Sequence, residues 1–170
     1  MYKIAYRLLL FVWMLSFIGG CQRNQNSKKE RAFSERFPGV EMNSSIQFWD
    51  PAKYGGSFTI GKSIDLVLET NSTNKIVFPS DYGIRIFMYD SEREEWLEIQ
   101  NKAKYFPPGN RQISPKGEDN PGLITIGLAP ALQPGEKPVK VRVVVIGTVY
   151  HGEQKTDQEV GAYIDVEMSP

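Results

Sequence analysis

Apolar and polar residues alternate in several short stretches after residue 40. In residues 63–70, Ile64, Leu66 and Leu68 occupy alternate positions, and in residues 139–146 every second residue is a valine. A side-chain period of two is typical of a β-strand with one face in a core. The pattern predicts strands in these two stretches and in six others, residues 46–49, 75–78, 83–89, 95–99, 123–128 and 160–168.

Turn-forming residues separate these stretches. Asn-Ser-Thr-Asn occupies residues 71–74, Pro-Pro-Gly-Asn residues 107–110 and Asn-Pro-Gly residues 120–122, and such clusters favour turns. The order of segments predicts an all-β domain of seven to eight strands and resembles an immunoglobulin-like sandwich of two antiparallel sheets. The resemblance covers residues 46–168 without the cysteine pair of antibody domains, so it implies a fold and no functional residue.

The stretch at residues 139–146 is apolar on both faces, because Val144 and Ile146 accompany the odd-numbered valines. Strands that are buried on both faces lose the strict alternation of apolar and polar residues. We therefore predict that this strand is central in the sandwich. Val143 is expected to face the core, and Arg142 is expected to face water on the opposite side.

The N-terminal end has a different pattern. Residues 1–7 contain Lys3 and Arg7 and no acid, and residues 8–18 are uncharged and mostly apolar. This run is much shorter than the roughly 20 residues that span a bilayer. It ends in Ile18-Gly19-Gly20-Cys21, which resembles the lipobox of bacterial lipoproteins. The resemblance implies that residues 1–20 are a cleaved signal peptide and that Cys21, the only cysteine, carries lipid.

The resemblance to lipoproteins also implies a location. Two or three acyl chains on Cys21 would hold the mature chain on a membrane almost permanently. Gln22 stands where an inner-membrane retention signal has aspartate, so the outer membrane is favoured if the host is Gram-negative. Residues 21–39 are polar and are interpreted as a tether, followed by one folded domain in residues 40–170.

Charge and residue counts exclude several classes of protein. The chain has 20 basic and 20 acidic residues, and loss of Lys3 and Arg7 with the signal leaves a net charge of about −2, which does not favour nucleic-acid binding. Lipid on Cys21 leaves no thiol for a disulfide. His151 is the only histidine, which excludes multi-histidine metal sites, and its place beside Gly152 is typical of a polar loop residue. We predict no catalytic residue, metal or cofactor.

Residues 56–63 match the phosphate-binding loop pattern G-x-x-x-x-G-K-[ST]. That loop binds phosphate only between a strand and a helix, where backbone amides and the helix N-terminus converge. Here Phe58 and Ile60 alternate as in a strand, and the stretch after the match stops at Asn71, too soon for a full helix. We predict a strand that enters a turn at Gly61-Lys62, and no bound nucleotide.

Aromatic residues near turns are the candidate ligand-binding residues. Tyr54 precedes two glycines, and Tyr105 and Phe106 lie in a predicted loop of residues 102–122, whose length in a compact domain is typical of functional loops. Such side chains could stack on sugars or bury against a partner protein. Trp96 and Phe48 are assigned to the core.

The leading interpretation is a membrane-anchored module without catalytic activity that presents its sandwich to another envelope protein or to a glycan. One alternative is a small hydrolase that uses two carboxylates, and close acids in a concave site with aromatic walls would favour it. Another is an assembly factor or inhibitor that binds its partner through a strand edge. An uncovered and uncharged edge strand would favour that alternative.

Overall fold

The computed structural model describes residues 33–51, 56–103, 106, 108–117, 119–135 and 137–170. The chain divides into two compact units, Met1–Pro38 and Gly39–Pro170. In the first unit the described residues form a tight turn. Its Arg36 N–H donates to the Phe33 carbonyl, and the Phe33 and Phe37 rings lie 5.6 Å apart.

The second unit is an all-β sandwich, as predicted. Its described residues form eleven strands in two sheets. The strands are β1 (Glu41–Met42), β2 (Ile46–Phe48), β3 (Phe58–Thr59), β4 (Ile64–Thr70), β5 (Lys75–Phe78), β6 (Arg85–Asp90), β7 (Glu95–Ile99), β8 (Arg111–Ile113), β9 (Leu123–Leu128), β10 (Val139–His151) and β11 (Gln154–Ser169).

The larger sheet is built on the long antiparallel hairpin of β10 and β11. On one side of the hairpin, the short strands β1 and β3 both run parallel to β11. On the other side, β6 pairs with the first half of β10 and β5 with its second half, and they are followed outward by β7 and β8. Gly147 lies where the neighbour of β10 changes, and a Cβ there would come within 2.7 Å of the Ile76 and Phe78 side chains.

The smaller sheet has three strands in the order β2-β4-β9. In the immunoglobulin-like arrangement this sheet corresponds to strands A, B and E, and β6, β10 and β11 correspond to C, F and G. The fourth strand of that sheet, D, would lie beside E. No described strand occupies the corresponding place beside β9.

The core lies between the two sheets and consists of side chains at alternate strand positions. Val143 is fully buried there, as predicted, and Phe48 packs against the core from a partly buried position. The smaller sheet contributes Ile46, Ile64, Leu66, Leu68, Ile126 and Leu128, and the larger sheet contributes Ile76, Phe78, Ile86, Ile113, Val141, Val143, Val145, Val149, Val160, Ala162, Val166 and Met168.

Three predicted strands agree with the structure to the residue: β5, β7 and β9. The hairpin strands β10 and β11 are longer than predicted. The pattern misses residues 154–159 of β11, because they are almost all exposed and show no apolar alternation. In β10, Gly147 interrupts the apolar run at the point where the predicted stretch ends. Three further strands, β1, β3 and β8, have only two or three residues. A stretch so short cannot show a period, and this is why the sequence pattern does not predict them.

The match to the phosphate-binding loop lies in strand and turn, as predicted. Phe58 and Thr59 form β3, Gly61 adopts a φ of 82° in the turn that follows, and β4 begins at Ile64. A strand therefore occupies the place where a phosphate-binding loop requires a helix. The turn takes the chain from the larger sheet to the smaller one.

The prediction that Arg142 faces water is wrong. Arg142 is on the face of β10 opposite the core, as its register predicts, but only 1% of it is exposed. Its Nε and Nη2 atoms donate to the two oxygens of Asp165 at 2.6 and 2.9 Å. Its guanidinium lies 4.4 Å from the ring centre of Trp96 and 4.5 Å from that of Tyr163. Aromatic rings and a paired acid thus replace water around the charge.

Asp165 is the electrostatic centre of this cluster. Burial acts to raise the pKa of its carboxyl, but hydrogen bonds from Arg142 and Lys140 outweigh burial and hold that pKa below its usual range. The Lys140 Nζ lies 2.8 Å from the carboxylate. Trp96 is buried, as expected, but it packs on Arg142 at the outer face and does not belong to the core between the sheets.

Candidate functional site

The structure describes one of the candidate residues predicted from sequence. Phe106 is half-buried, whereas Cys21, Tyr54 and Tyr105 lie outside the described residues. His151 is exposed at the end of β10, and its Nδ1 lies 3.1 Å from Asn74 Oδ1. The predicted aromatic site is therefore untested, and the described residues present a different candidate, the outer edge of β9.

Strand β9 is an edge strand of the smaller sheet. It pairs antiparallel with β4 along its whole length, from Ile64 opposite Leu128 to Glu69 opposite Leu123. Among the described strands it has no second neighbour. The next strand after it, β10, belongs to the other sheet, and so does β8 before it.

The hydrogen bonds that flank β9 show which of its residues point toward the open side. Just before β9 begins, the carbonyl of Gly122 accepts from the Thr70 N–H of β4. Just after β9 ends, the Ala129 carbonyl points the other way, away from β4, and accepts from the Lys102 N–H at 2.7 Å. Backbone groups alternate in direction along an antiparallel strand. The even-numbered residues of β9 therefore bond to β4, and Leu123, Thr125 and Gly127 direct their N–H and C=O groups to the open edge.

The six residues of β9 lack the sequence features that protect most edge strands. Soluble proteins shield edge strands with charged residues, proline, bulges or short length. Strand β7, an edge of the larger sheet, contains Glu95 and Glu98, and the other edge strands β1, β2, β3 and β8 have two or three residues. By contrast β9 has six residues, Leu-Ile-Thr-Ile-Gly-Leu, with no charge and no proline, and its Thr125 and Gly127 are exposed.

The outer face of the smaller sheet is acidic beside this edge. Asp65 lies directly opposite Gly127 in the register, and its Oδ1 is 3.1 Å from the position that a Cβ at residue 127 would take. Glu69, on the same face, accepts a hydrogen bond from Trp49 Nε1 at 3.0 Å. The sequences of β2, β4 and β9 contain no lysine or arginine. The face is therefore negative, and the Asp65 carboxylate lies over the glycine of the open edge.

A cleft of about 270 Å³ lies on the same sheet, on the β2 side of β4. It is lined by Trp49, Pro51, Gly56, Phe58, Asp65, Leu66 and Val67. Two of these lining residues are hydrogen-bonded to each other, since the Gly56 N–H donates to the Pro51 carbonyl at 2.9 Å. Asp65 is the single carboxylate among these lining residues, whereas a glycosidase of the usual kind needs two. The hydrolase alternative stays a prediction without a pair of acids assigned to it.

Comparison of the chain with protein-family models, with curated proteins and with solved structures finds no match. In the part of the chain that the structure describes, no helix is long and apolar enough to cross a membrane. The same residues contain no group of three His, Cys, Asp or Glu side chains placed to hold a metal ion. A functional hypothesis therefore depends on the geometry of the sandwich and on the N-terminal sequence.

The sequence pattern predicts strand β9, but it does not predict that β9 lies at the edge of its sheet. The apolar period tells which residues of a strand share a face, and it does not tell which strands are neighbours. One signal was present in the sequence: β9 is the predicted strand of six residues without a charged residue or a proline. Such a strand is either central or an unprotected edge, and only the sheet order decides between the two.

Proposed function

We propose that the chain is a lipid-anchored envelope lipoprotein whose sandwich binds another protein through the open edge of β9, without catalysis. The anchor is supported by the residues Ile18-Gly19-Gly20-Cys21 and the polar tether of residues 21–39. The binding mode is carried by one observation, the uncharged β9 edge with its outward Leu123, Thr125 and Gly127 backbone groups. It joins the leading interpretation from sequence with the strand-edge alternative.

Binding at this edge follows the physics of strand addition. An extended segment of the partner bonds to the outward N–H and C=O groups of β9 and becomes the fourth strand of the smaller sheet. Each backbone hydrogen bond contributes about 0.5–1.5 kcal/mol net. Lipid on Cys21 confines the domain to a membrane surface, which raises its effective concentration toward partners on that surface. A moderate affinity of the β9 edge is then sufficient for the domain to bind a partner on the same membrane.

A photo-crosslinking amino acid at position 125 of the full-length chain, in cells of its native host, tests the proposed binding edge. Thr125 is exposed on the open edge, so light should produce a discrete adduct. The same amino acid at Glu95, exposed on the charged β7 edge, should not. Gly127→Pro, which removes an outward N–H, should abolish the adduct, while Gly127→Ala, which adds a Cβ and keeps the N–H, should retain it.

Three results of the crosslinking experiment would contradict the proposal. One is the absence of any adduct at position 125. The second is equal labelling at positions 125 and 95, which would show non-specific proximity. The third is an adduct that survives Gly127→Pro, which would show that a partner lies near Thr125 but does not bond to the β9 backbone.

Cys21→Ser tests the anchor separately. The lipidating enzyme requires the thiol, and the lipoprotein peptidase cleaves only the lipidated form. The variant should therefore accumulate as a precursor that takes up no labelled fatty acid. Uptake of label by the serine variant would remove the anchor from the proposal.

A second candidate function is sugar binding in the Trp49 cleft. Trp49 and Phe58 provide aromatic walls, and Asp65 provides a hydrogen-bond acceptor, a combination suited to a sugar ring. Trp49 is also oriented by its bond to Glu69. If this function is correct, the full chain will bind a subset of a glycan array, and Trp49→Ala will lose that binding while Thr125→Pro keeps it. The opposite sensitivity would favour β9.

A further inference from the structure

We infer that the partner segment at β9 carries a lysine or arginine opposite Gly127, and that this cation pairs with Asp65. The inference rests on the proposed function, because it specifies the chemistry of the strand that would occupy the same edge. Its starting observation is the position of the Asp65 carboxylate, 3.1 Å from where a side chain on Gly127 would begin.

Gly127 opens the path between Asp65 and the incoming strand. Neighbouring strands lie about 4.8 Å apart, and a side chain on β9 would normally stand between the outer face of β4 and a strand added at the edge. Residue 127 has no side chain, and the Asp65 carboxylate lies over it. Gly127 directs its N–H and C=O outward, so it would form a hydrogen-bonded pair with the opposite residue of an antiparallel partner strand. The Cα atoms of such a pair are about 5.5 Å apart. A long basic side chain on the partner residue can reach the carboxylate.

The negative charge of this face determines the sign of the charge expected on the partner residue. Asp65 and Glu69 are the charged residues of β2, β4 and β9, so an acidic partner residue on this face would meet like charge, which destabilises a cross-strand pair. Glu69 lies opposite Leu123 and already accepts the Trp49 indole N–H. Asp65 lies opposite Gly127, so it is the acid that an added strand can reach. A second copy of β9 would bring no basic residue, so we assign the edge to a different polypeptide.

The inner side of the added strand has a different requirement. The partner residues on either side of the basic one would point toward the core side of β9, beside the buried Ile126 and Leu128. Apolar side chains there would extend the core, and polar ones would lie on an apolar rim. The partner segment is therefore extended, with the local order apolar, basic, apolar.

Defined peptides test the charge preference. Three peptides share the extended sequence Thr-Val-X-Val-Thr, with X as lysine, glutamine or glutamate, and their affinity for the full chain in detergent is measured by fluorescence anisotropy at low ionic strength. Wild type should bind the lysine peptide about 1.5- to 5-fold more tightly than the glutamine peptide, the range of an exposed ion pair. The glutamate peptide should be weakest. Asp65→Asn should abolish this order and Asp65→Lys should reverse it, while added salt reduces it.

A backbone control separates this inference from the proposed function. Thr125→Pro removes an outward N–H and should weaken all three peptides, while Thr125→Val keeps the N–H and should bind as wild type. If Thr125→Pro weakens all peptides but wild type does not distinguish them, the charge inference is wrong and strand addition stands. If Thr125→Pro has no effect, or no peptide binds, both are wrong. A wild type that self-associates through β9, with Thr125→Pro monomeric, would assign the edge to a second copy and overturn the inference.

Discussion

The two outer faces of the sandwich both carry a charged residue on a central strand, but their surroundings differ. On the larger sheet, Arg142 lies between the rings of Trp96 and Tyr163 and donates to both oxygens of Asp165. On the smaller sheet, Asp65 lies over a glycine of an edge strand. The first charge is paired within the chain, and the second is placed beside open backbone groups.

The difference follows from the distance of each strand from a sheet edge. Strand β10 has β11 on one side and β5 and β6 on the other, so long side chains from several strands can cover Arg142. Strand β4 is separated from the open edge by β9 alone, and β9 has a glycine beside Asp65. A charged residue on a strand is therefore structural or available for binding according to its neighbours, and residue type alone does not decide.

The largest effect is expected at the cluster around Arg142. Arg142→Asp would place a carboxylate beside Asp165 in a buried site, and loss of one partner of a buried pair costs about 3–5 kcal/mol. Val143→Asp, on the core face of the same strand, should lower the free energy of unfolding by several kcal/mol, about as much as Arg142→Asp, because the new carboxylate would have no partner in the core. Chemical denaturation measures both. Lys140→Ala, whose side chain is 52% exposed, is the control and should cost less than about 1 kcal/mol. An Arg142 variant as stable as the Lys140 variant would contradict the structural role of the pair.

Two single proline variants of β9 test the direction in which its backbone groups point. Ile124→Pro removes an N–H that bonds to β4 and leaves its acceptor unpaired, so it should lower the free energy of unfolding by roughly 2–4 kcal/mol. Thr125→Pro removes an N–H that faces outward and should cost about 1 kcal/mol or less. Denaturant midpoints of the two variants give the comparison. Equal destabilisation would contradict the assignment of Thr125 to the open side.

The pH dependence of stability should report the Asp165 cluster. The pKa of Asp165 is depressed in the folded chain, so the carboxylate contributes stability that is fully present above its unfolded pKa of about 3.9 and is lost as the pH falls further, through the folded pKa. Asp165→Asn should therefore flatten the acid limb of the stability curve below about pH 4. An unchanged acid limb in Asp165→Asn would show that the hydrogen bonds from Arg142 and Lys140 do not depress that pKa.

The smallest effect is expected at the match to the phosphate-binding loop. Lys62 is exposed in a turn between two strands, so Lys62→Ala should change stability by less than about 0.5 kcal/mol. Millimolar ATP should leave the melting temperature of wild type unchanged. A real phosphate site at 100 times its dissociation constant would add about 2.7 kcal/mol, and such a shift would refute the interpretation of residues 56–63 as strand and turn.

The period of apolar residues was sufficient to predict the class of fold and most strands, including β9 to the residue. It failed at Arg142, because the period identifies the face on which a residue lies but not what covers that face. Trp96 of β7, which is distant in sequence, and Tyr163 of the hairpin partner β11 cover Arg142. The open edge could not be predicted for a related reason. Whether β9 has a neighbour depends on the pairing of β8 with β5 in the other sheet, and no local pattern encodes that choice.

Amide hydrogen exchange along β9, measured by NMR on the full chain, tests the central claim most directly. In the protein alone, Thr125 and Gly127 should exchange rapidly, while Ile124 and Ile126, which bond to β4, should be protected. Addition of the lysine peptide should protect Thr125 and Gly127 and leave their even-numbered neighbours unchanged. Protection of Thr125 and Gly127 before any peptide is added, or no gain in their protection at saturating peptide, would contradict the account of β9 as an open binding edge.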